Sequence, residues 1–348
     1  MGVNELLKEL CEKYPGASDI ILKPDEVAVI SSKEVIEKRR GDFSELVEEV
    51  VFSLPDRSSD VDTSWKAGDL RFRLNVAKYG GRNYCCTFRW LKPVIWKLSD
   101  YMIEESIIEK VFSRIRAKKG GLVLVIGPTG SGKSSVMAAF LNQLLEEMPV
   151  NVVTIEDPVE YHLNEGKGLV LQREVGTDTP SFARGLKSAL RENPNIIFVG
   201  EVRDEETVDL LTQAADTGHV CFATLHTSSA KDTMERLMGM LPPEKQQFTL
   251  QVLARNLIGV LGLRMFDVGG RKVLVHEFLN AEDPTVKSLI LKAQFSQIST
   301  YMNNIDKGHV PFEFTVAKLV KSGLIPEDKV QELGYDKSRV MMYKARLK

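Results

Sequence analysis

Paired cysteines, an excess of either charge and long uncharged apolar runs are all missing from this sequence. The four cysteines, Cys11, Cys85, Cys86 and Cys221, show no C-x-x-C spacing, so neither a disulfide framework nor a zinc ribbon is expected, and a reducing cytoplasm fits. Basic and acidic residues number 46 and 48, a formal net charge of -2, which gives no whole-chain reason to expect direct binding of nucleic acid or of an anionic bilayer. The most apolar long stretch, TLQVLARNLIGVLGLRMF, is interrupted by Arg255 and Arg264, and no uncharged run reaches the roughly 18 residues of a spanning helix. No transmembrane segment is expected, and work at a membrane would require recruitment. The amino-terminal MGVNELLKELCEKY alternates charges with leucines at helical spacing, unlike the charged end and apolar core of a signal peptide.

What is present is enough for two ordinary domains: 348 residues, 43% hydrophobic and 27% charged. Residues 1–92 read as a small α+β unit. It has strand-like DIILK and VAVIS, a helix through FSELVEEVVFSL, and two alternating runs joined at YGGRN in the pattern of a hairpin. Residues 93–105 carry a proline and lose periodicity, and serve as the connecting segment. From 106 to 348 the apolar runs LVLVI, VNVVTI, IIFVG and HVCFATL alternate with helical patterns, which suits strands buried on both faces of a parallel sheet in an α/β unit. Beyond 230 the chain reads as mostly helical, including LARNLIGVLGLRM, except for a hairpin turned at Gly269-Gly270.

The stretch GPTGSGKSS, residues 127–135, follows the first apolar run and precedes an amphipathic helix. Gly127, Pro128, Thr129, Gly130, Ser131, Gly132, Lys133 and Ser134 satisfy G-x-x-x-x-G-K-[ST], with Ser135 next in the helix. Glycines let successive N–H groups turn into one concavity at a helix N-terminus, which suits polyphosphate. Lys133 would reach the β and γ phosphates of ATP, and the Ser134 hydroxyl would be one ligand of Mg2+.

Three later runs end in polar residues. In VVTIEDPVEY, Glu156 can face nucleotide and metal from the carboxyl edge of the sheet, while Asp157 and Pro158 also form a good helix-capping pattern. In NIIFVGEVRD, Glu201 stands where a water-activating base is needed, which makes it the first choice for that role and, with Glu156, a candidate metal ligand partly through water. In GHVCFATLHT, His219 and His226 lie at opposite ends of a strand, too far apart to share a metal. His226 at the carboxyl end can hydrogen-bond the γ phosphate; His219 is open between a nucleotide contact and a structural part.

These four blocks in this order resemble the phosphate loop, Asp box, Walker B strand and His box of the secretion and pilus motor ATPases, and in particular PilT-like type IV pilus retraction ATPases. The similarity extends to GASD at Gly16 to Asp19, to GDLRFRLN, and to QREVGTDTPSFARGLKSALRENP. The resemblance implies a PAS-like amino-terminal domain, a RecA-like P-loop ATPase core and a homo-hexameric ring with nucleotide between the two domains. It also implies arginines around the phosphates, for which Arg71, Arg73, Arg89, Arg191 and Arg203 are candidates. By the same likeness the ring would sit in the bacterial cytoplasm, peripheral at the inner membrane, and act on a pilus platform protein there. Alternatives are a conjugation or type IV secretion ATPase, a PilU-like accessory ATPase, and a nucleotide-dependent scaffold with little hydrolysis. The chain departs from the family pattern in NPN before the Walker B strand, in LARNLIGVLGLRM, and in TVKSLILK near the carboxyl end. It also lacks the tetracysteine element of assembly-type relatives.

Overall fold

The structure, a computed structural model, describes residues 1–31, 34–54, 60–91 and 95–347. The chain divides into two compact units, Met1–Val94 with Asp157–His162, and Ile95–Glu156 with Leu163–Lys348. The boundary anticipated at 92/93 lies outside the described residues.

In the first unit, helix α1 (Val3–Lys13) is followed by β1 (Asp19–Lys23), β2 (Glu26–Ser31), β3 (Glu34–Arg40), α2 (Ser44–Ser53), β4 (Val61–Ala67), β5 (Leu70–Tyr79) and β6 (Asn83–Leu91). The six strands form an antiparallel sheet in the order β3-β2-β1-β6-β5-β4. Alternation explains its sidedness. Phe72, Leu74, Val76, Cys86 and Phe88 pack with α1 and α2 in one core, and the residues between them point to the other face. Sequence patterning did not lead to β3 or β4, whose side chains are mostly exposed or half-buried and so carry no apolar alternation.

The second unit runs α3 (Glu105–Arg116), β7 (Gly121–Ile126), α4 (Lys133–Glu147), β8 (Asn151–Glu156), β9 (Leu169–Glu174), α5 (Phe182–Ala189), β10 (Ile196–Val199), α6 (Glu205–Asp216), β11 (Val220–Leu225), α7 (Ala230–Met240), α8 (Pro243–Asn256), β12 (Leu257–Val268) and β13 (Arg271–Asn280). Then come α9 (Pro284–Leu291), α10 (Ser296–Tyr301), α11 (Phe312–Lys321) and α12 (Lys337–Arg346). Its seven strands lie in the order β13-β12-β7-β11-β10-β8-β9, all parallel except for the β12–β13 hairpin. Every residue of β7 is buried. Leu122, Leu124 and Ile126 join one core with α5 to α9, while Val123 and Val125 join the core on the opposite face with α3 and α4. Two covered faces require near-continuous apolar strands, which is why these runs stand out in the sequence.

Two local expectations are corrected. LARNLIGVLGLRM leaves the helix at Asn256 and continues as β12, which pairs with the otherwise open side of β7. Glycines make that pairing possible: a Cβ on Gly259 would fall 2.3 Å from Phe278 Cζ, and one on Gly262 2.7 Å from Glu277 Cγ. No helix begins at Asp157–Pro158 either; the chain runs irregularly into β9, through Gly166 and Gly168. A Cβ on Gly168 would come 2.3 Å from Val150 O, so this residue admits the chain beside the end of α4 and the start of β8.

Candidate functional site

The carboxyl ends of β7, β8, β10 and β11 collect the candidate chemistry. After Ile126 the chain must turn at once into α4, and Gly127, Gly130 and Gly132 do so with φ of 149°, 80° and 93°. Gly127 also admits no side chain, since a Cβ would approach Leu263 O to 2.4 Å and Ser131 Oγ to 2.5 Å. The helix ladder of α4 starts with Val136 N donating to Gly132 O at 2.9 Å, so the N–H groups before it lie at the positive end of the helix. The Ser131 hydroxyl is buried with no hydrogen-bond partner among the described residues.

Lys133 is buried and its ammonium curls over the loop, donating to Gly127 O at 2.7 Å and Pro128 O at 3.1 Å. It also lies 3.4 Å from His226 Nδ1. Because an ammonium only donates, His226 Nδ1 is the accepting nitrogen, and the ring's proton belongs on Nε2. Nε2 in turn faces Glu201 Oε2 at 3.6 Å. Burial and the neighbouring Lys133 charge lower the His226 pKa, which keeps the imidazole neutral and fits this tautomer.

Glu201 follows β10, and Arg203 donates to its Oε2 at 2.6 Å. Burial works to raise its pKa. The hydrogen bond and charge of Arg203, with His226 and Lys133 acting more weakly, outweigh burial and leave the carboxyl below its ordinary range. The same turn is tied to β11 through Val202 N on Thr224 O at 3.0 Å and Thr224 Oγ1 on Gly200 O. Asp204 then caps α6, accepting from Thr207 N at 2.8 Å. Glu156, at the end of β8, accepts from Thr154 Oγ1 at 2.7 Å and from Gln172 Nε2 at 3.1 Å.

A cavity of about 560 Å3 adjoins the loop, walled by Gly127, Pro128, His226, Thr227, Arg264 and Phe312 among others, a size that suits a small ligand. The donor set fits a nucleotide with Mg2+. It offers a glycine-built backbone cradle with a buried, unpartnered hydroxyl, one lysine, the half-buried Ser134 and two carboxylates at the same sheet edge. No group of three or more His, Cys, Asp or Glu among the described residues could hold a metal alone.

The profile of the type II/IV secretion system proteins matches residues 62–274, more than half the chain. The chain belongs to that family. It is 38% identical over 271 residues to a twitching motility protein of Neisseria gonorrhoeae, covering 76% of this chain and 70% of that one. It is 36% identical over 299 residues to the type IV pilus retraction ATPase PilT of Pseudomonas aeruginosa, covering 85% and 81%. A solved structure described as the pilus retraction motor PilT with bound ADP superposes with a TM-score of 0.82 at 33% identity, covering 97% of this chain and 98% of that one.

Within this secretion-family chain the remaining candidates fall elsewhere. His219 precedes β11 at the amino edge, where Nδ1 donates to Ala214 O at 3.1 Å, so the structure gives it a helix-end bond and no place at the loop. Arg191, exposed between α5 and β10, is likewise at the amino edge of the sheet within its own chain. Of the two core candidates, Arg191 and Arg203, it is Arg203 that joins the site. Arg71, Arg73 and Arg89 lie on the polar face of the first unit's sheet, with Arg73 opposite Arg89 in register; Arg73 pairs with Asp62, and Arg89 with Asp19 at 2.9 Å. Sequence reading passed over Thr154, two residues before Glu156 on the anticipated strand β8, and Gln172, which stands on a strand, β9, that it did not anticipate. In LVLQRE the exposed Leu169 and Leu171 are as apolar as the half-buried Val170 between them, so the sequence carries no period-two signal for β9.

Proposed function

We propose that this chain is an ATP-hydrolysing motor that powers type IV pilus retraction as a homo-hexameric ring. The observation that carries the reading is the continuous line Lys133, His226, Glu201, Arg203, which joins the phosphate loop to the acid after β10. A loop that only held nucleotide would not need an ionised acid and a neutral histidine directed at its lysine. The names of the relatives support the direction of the work, since two concern twitching and retraction.

ATP would lie with its phosphates in the loop, drawing Lys133 from the carbonyls of Gly127 and Pro128. Ser134 would hold Mg2+, with Glu156 and Glu201 reaching it partly through water. Mg2+ supplies charge neutralisation at the β and γ phosphates. Glu201, kept ionised, orients the water and accepts its proton as the oxygen bonds to the γ phosphorus. The bond from that phosphorus to the bridging oxygen then breaks, giving ADP and phosphate. Once phosphate leaves, Lys133 can return to the carbonyls and His226 can register the change, so both report the state of the site to β11.

No helix among the described residues is long and apolar enough to cross a membrane. On this reading the ring meets an inner-membrane platform protein from the cytoplasmic side. The test is Mg2+-dependent phosphate release across a protein concentration series with solution mass recorded, using Lys133→Ala as the inactive control. Activity that rises with a sixfold assembly, together with loss of surface motility on gene deletion, is expected. Assembly without phosphate release above the control would overturn the motor reading, and retained motility would overturn retraction.

A further inference from the structure

We propose that Thr154 and Gln172 are positioning residues that fix the carboxylate of Glu156, an inference that rests on the functional reading of Glu156 above. Strands β8 and β9 are parallel, with Thr154 opposite Gln172 and Glu156 opposite Glu174. Residues two apart share a face of a strand, so Thr154 and Glu156 project together. Thr154 is fully buried, and its hydroxyl donates to Glu156 Oε1 at 2.7 Å. The amide of Gln172 donates to the same oxygen at 3.1 Å.

The orientation of that amide follows from a third bond. Leu163 N donates to Gln172 Oε1 at 3.0 Å, so the carbonyl end faces the backbone and the nitrogen end must face Glu156. A backbone N–H thus sets the amide, and the amide and a buried hydroxyl together set one carboxylate oxygen. A glutamate has three side-chain torsions to order, and two donors on one carboxylate oxygen restrict them. An acid serving phosphate chemistry gains from this because small misplacements of a reacting or metal-facing group are costly. Neither residue belongs to the phosphate loop or the acid-bearing strand ends, so their part is exerted through Glu156.

The experiment uses the full chain with Thr154→Val, Thr154→Ser, Gln172→Met and Gln172→Glu, and with Glu156→Gln as reference. Steady-state phosphate release gives kcat and KM, a fluorescent ATP analogue gives affinity, and hydrogen exchange follows the Leu163 amide. Removing a group that orients a functional side chain from behind lowers activity about 10-fold or more. Expected is that order of loss in kcat for Thr154→Val and both Gln172 variants, with KM and analogue affinity within about twofold. Thr154→Ser should restore most of kcat. Gln172→Glu should keep the Leu163 amide protected, because an oxygen still accepts it, whereas Gln172→Met should expose it. A kcat lost in Gln172→Glu with that amide still protected therefore isolates the bond to Glu156 from loop anchoring. If Glu156→Gln turns over like wild type, the functional reading of Glu156 is wrong. If Glu156→Gln is inactive but Thr154→Val and Gln172→Glu keep kcat, the positioning inference fails alone. A fall in affinity equal to the fall in kcat would also overturn it, by showing a general loss of structure.

Discussion

The two edges of the larger sheet receive the same kinds of residue and use them differently. At the carboxyl edge Glu201 and His226 face one another across 3.6 Å and turn toward the phosphate loop. At the amino edge Asn195 and His219 hold backbone: Asn195 accepts from Asn151 N at 2.8 Å, and His219 donates to Ala214 O at 3.1 Å. Apart from the buried Thr154 and Thr224 the strands between them are apolar, so charged residues are excluded from the interior and collect at one edge or the other. Only parallel strand direction makes the edges inequivalent, because it brings four carboxyl ends beside the start of α4.

The strongest way to break this comparison is at the carboxyl edge. Glu201→Gln keeps the shape but cannot accept the water's proton, and kcat should fall by about 10²–10⁴-fold with nucleotide affinity retained. Phosphate release alongside fluorescent-nucleotide binding checks it, and near-normal kcat would remove Glu201 from the chemistry. A second acid gives a contrast in stability. Glu277 on β13 is buried with Oε1 unpartnered among the described residues, and burial pushes its pKa up to about 8 from an ordinary 4.5. A raised carboxyl contributes stability that is complete below the unfolded value and lost as pH rises through the folded one. The wild type should therefore lose on the order of 4 kcal/mol between pH 5 and 8, and Glu277→Gln should flatten that slope. Denaturant midpoints across this range decide it; parallel slopes for both proteins would show that Glu277 is already ionised when folded.

Much of this arrangement is legible in the sequence because double-sided burial leaves apolar runs of unmistakable length, and each run's last polar residue then marks the functional edge. The loop was legible for the same kind of reason, since glycines spaced before a lysine have a backbone purpose. The strand after Asn256 was not legible: LIGVLGLRM follows a helix without a break, and only the need of β7 for a neighbour makes it extended. Strand β9 escaped because an edge strand buries one face, so LVLQRE shows neither an apolar run nor a strong alternation. With β9 went Gln172, a partner of Glu156. His219 stayed open because nothing in the sequence marks the helix-end carbonyl, Ala214 O, that its ring meets.

The histidines sharpen the comparison at a smaller scale. His226→Asn should lower kcat by about 10-fold or more, as removal of one preorganised polar group does, with little change in midpoint. His219→Ala should leave kcat within about twofold and cost about 1 kcal/mol for the lost hydrogen bond. Measuring both turnover and denaturant midpoint for each variant exposes a swap of roles, and a catalytic defect confined to His219→Ala would invert the assignment of the two edges.

The smallest expected effect tests whether the amino edge matters to turnover at all. The chain carries NPN where its resemblance to retraction ATPases leads one to expect D-P-D, and the structure shows what Asn195 does: its side-chain oxygen takes Asn151 N, while its backbone N donates to Asn151 O at 2.8 Å. An aspartate oxygen can accept the same N–H, so Asn195→Asp should fold within a few tenths of a kcal/mol of wild type, roughly the scatter of a surface substitution. Asn195→Ala loses the acceptor and should cost about 0.5–1.5 kcal/mol. Neither should alter kcat, because the bond lies a full strand length from Glu201. A several-fold rise in kcat for Asn195→Asp would show that the amino edge is coupled to the site through β10, and the division of labour between the edges would have to be abandoned.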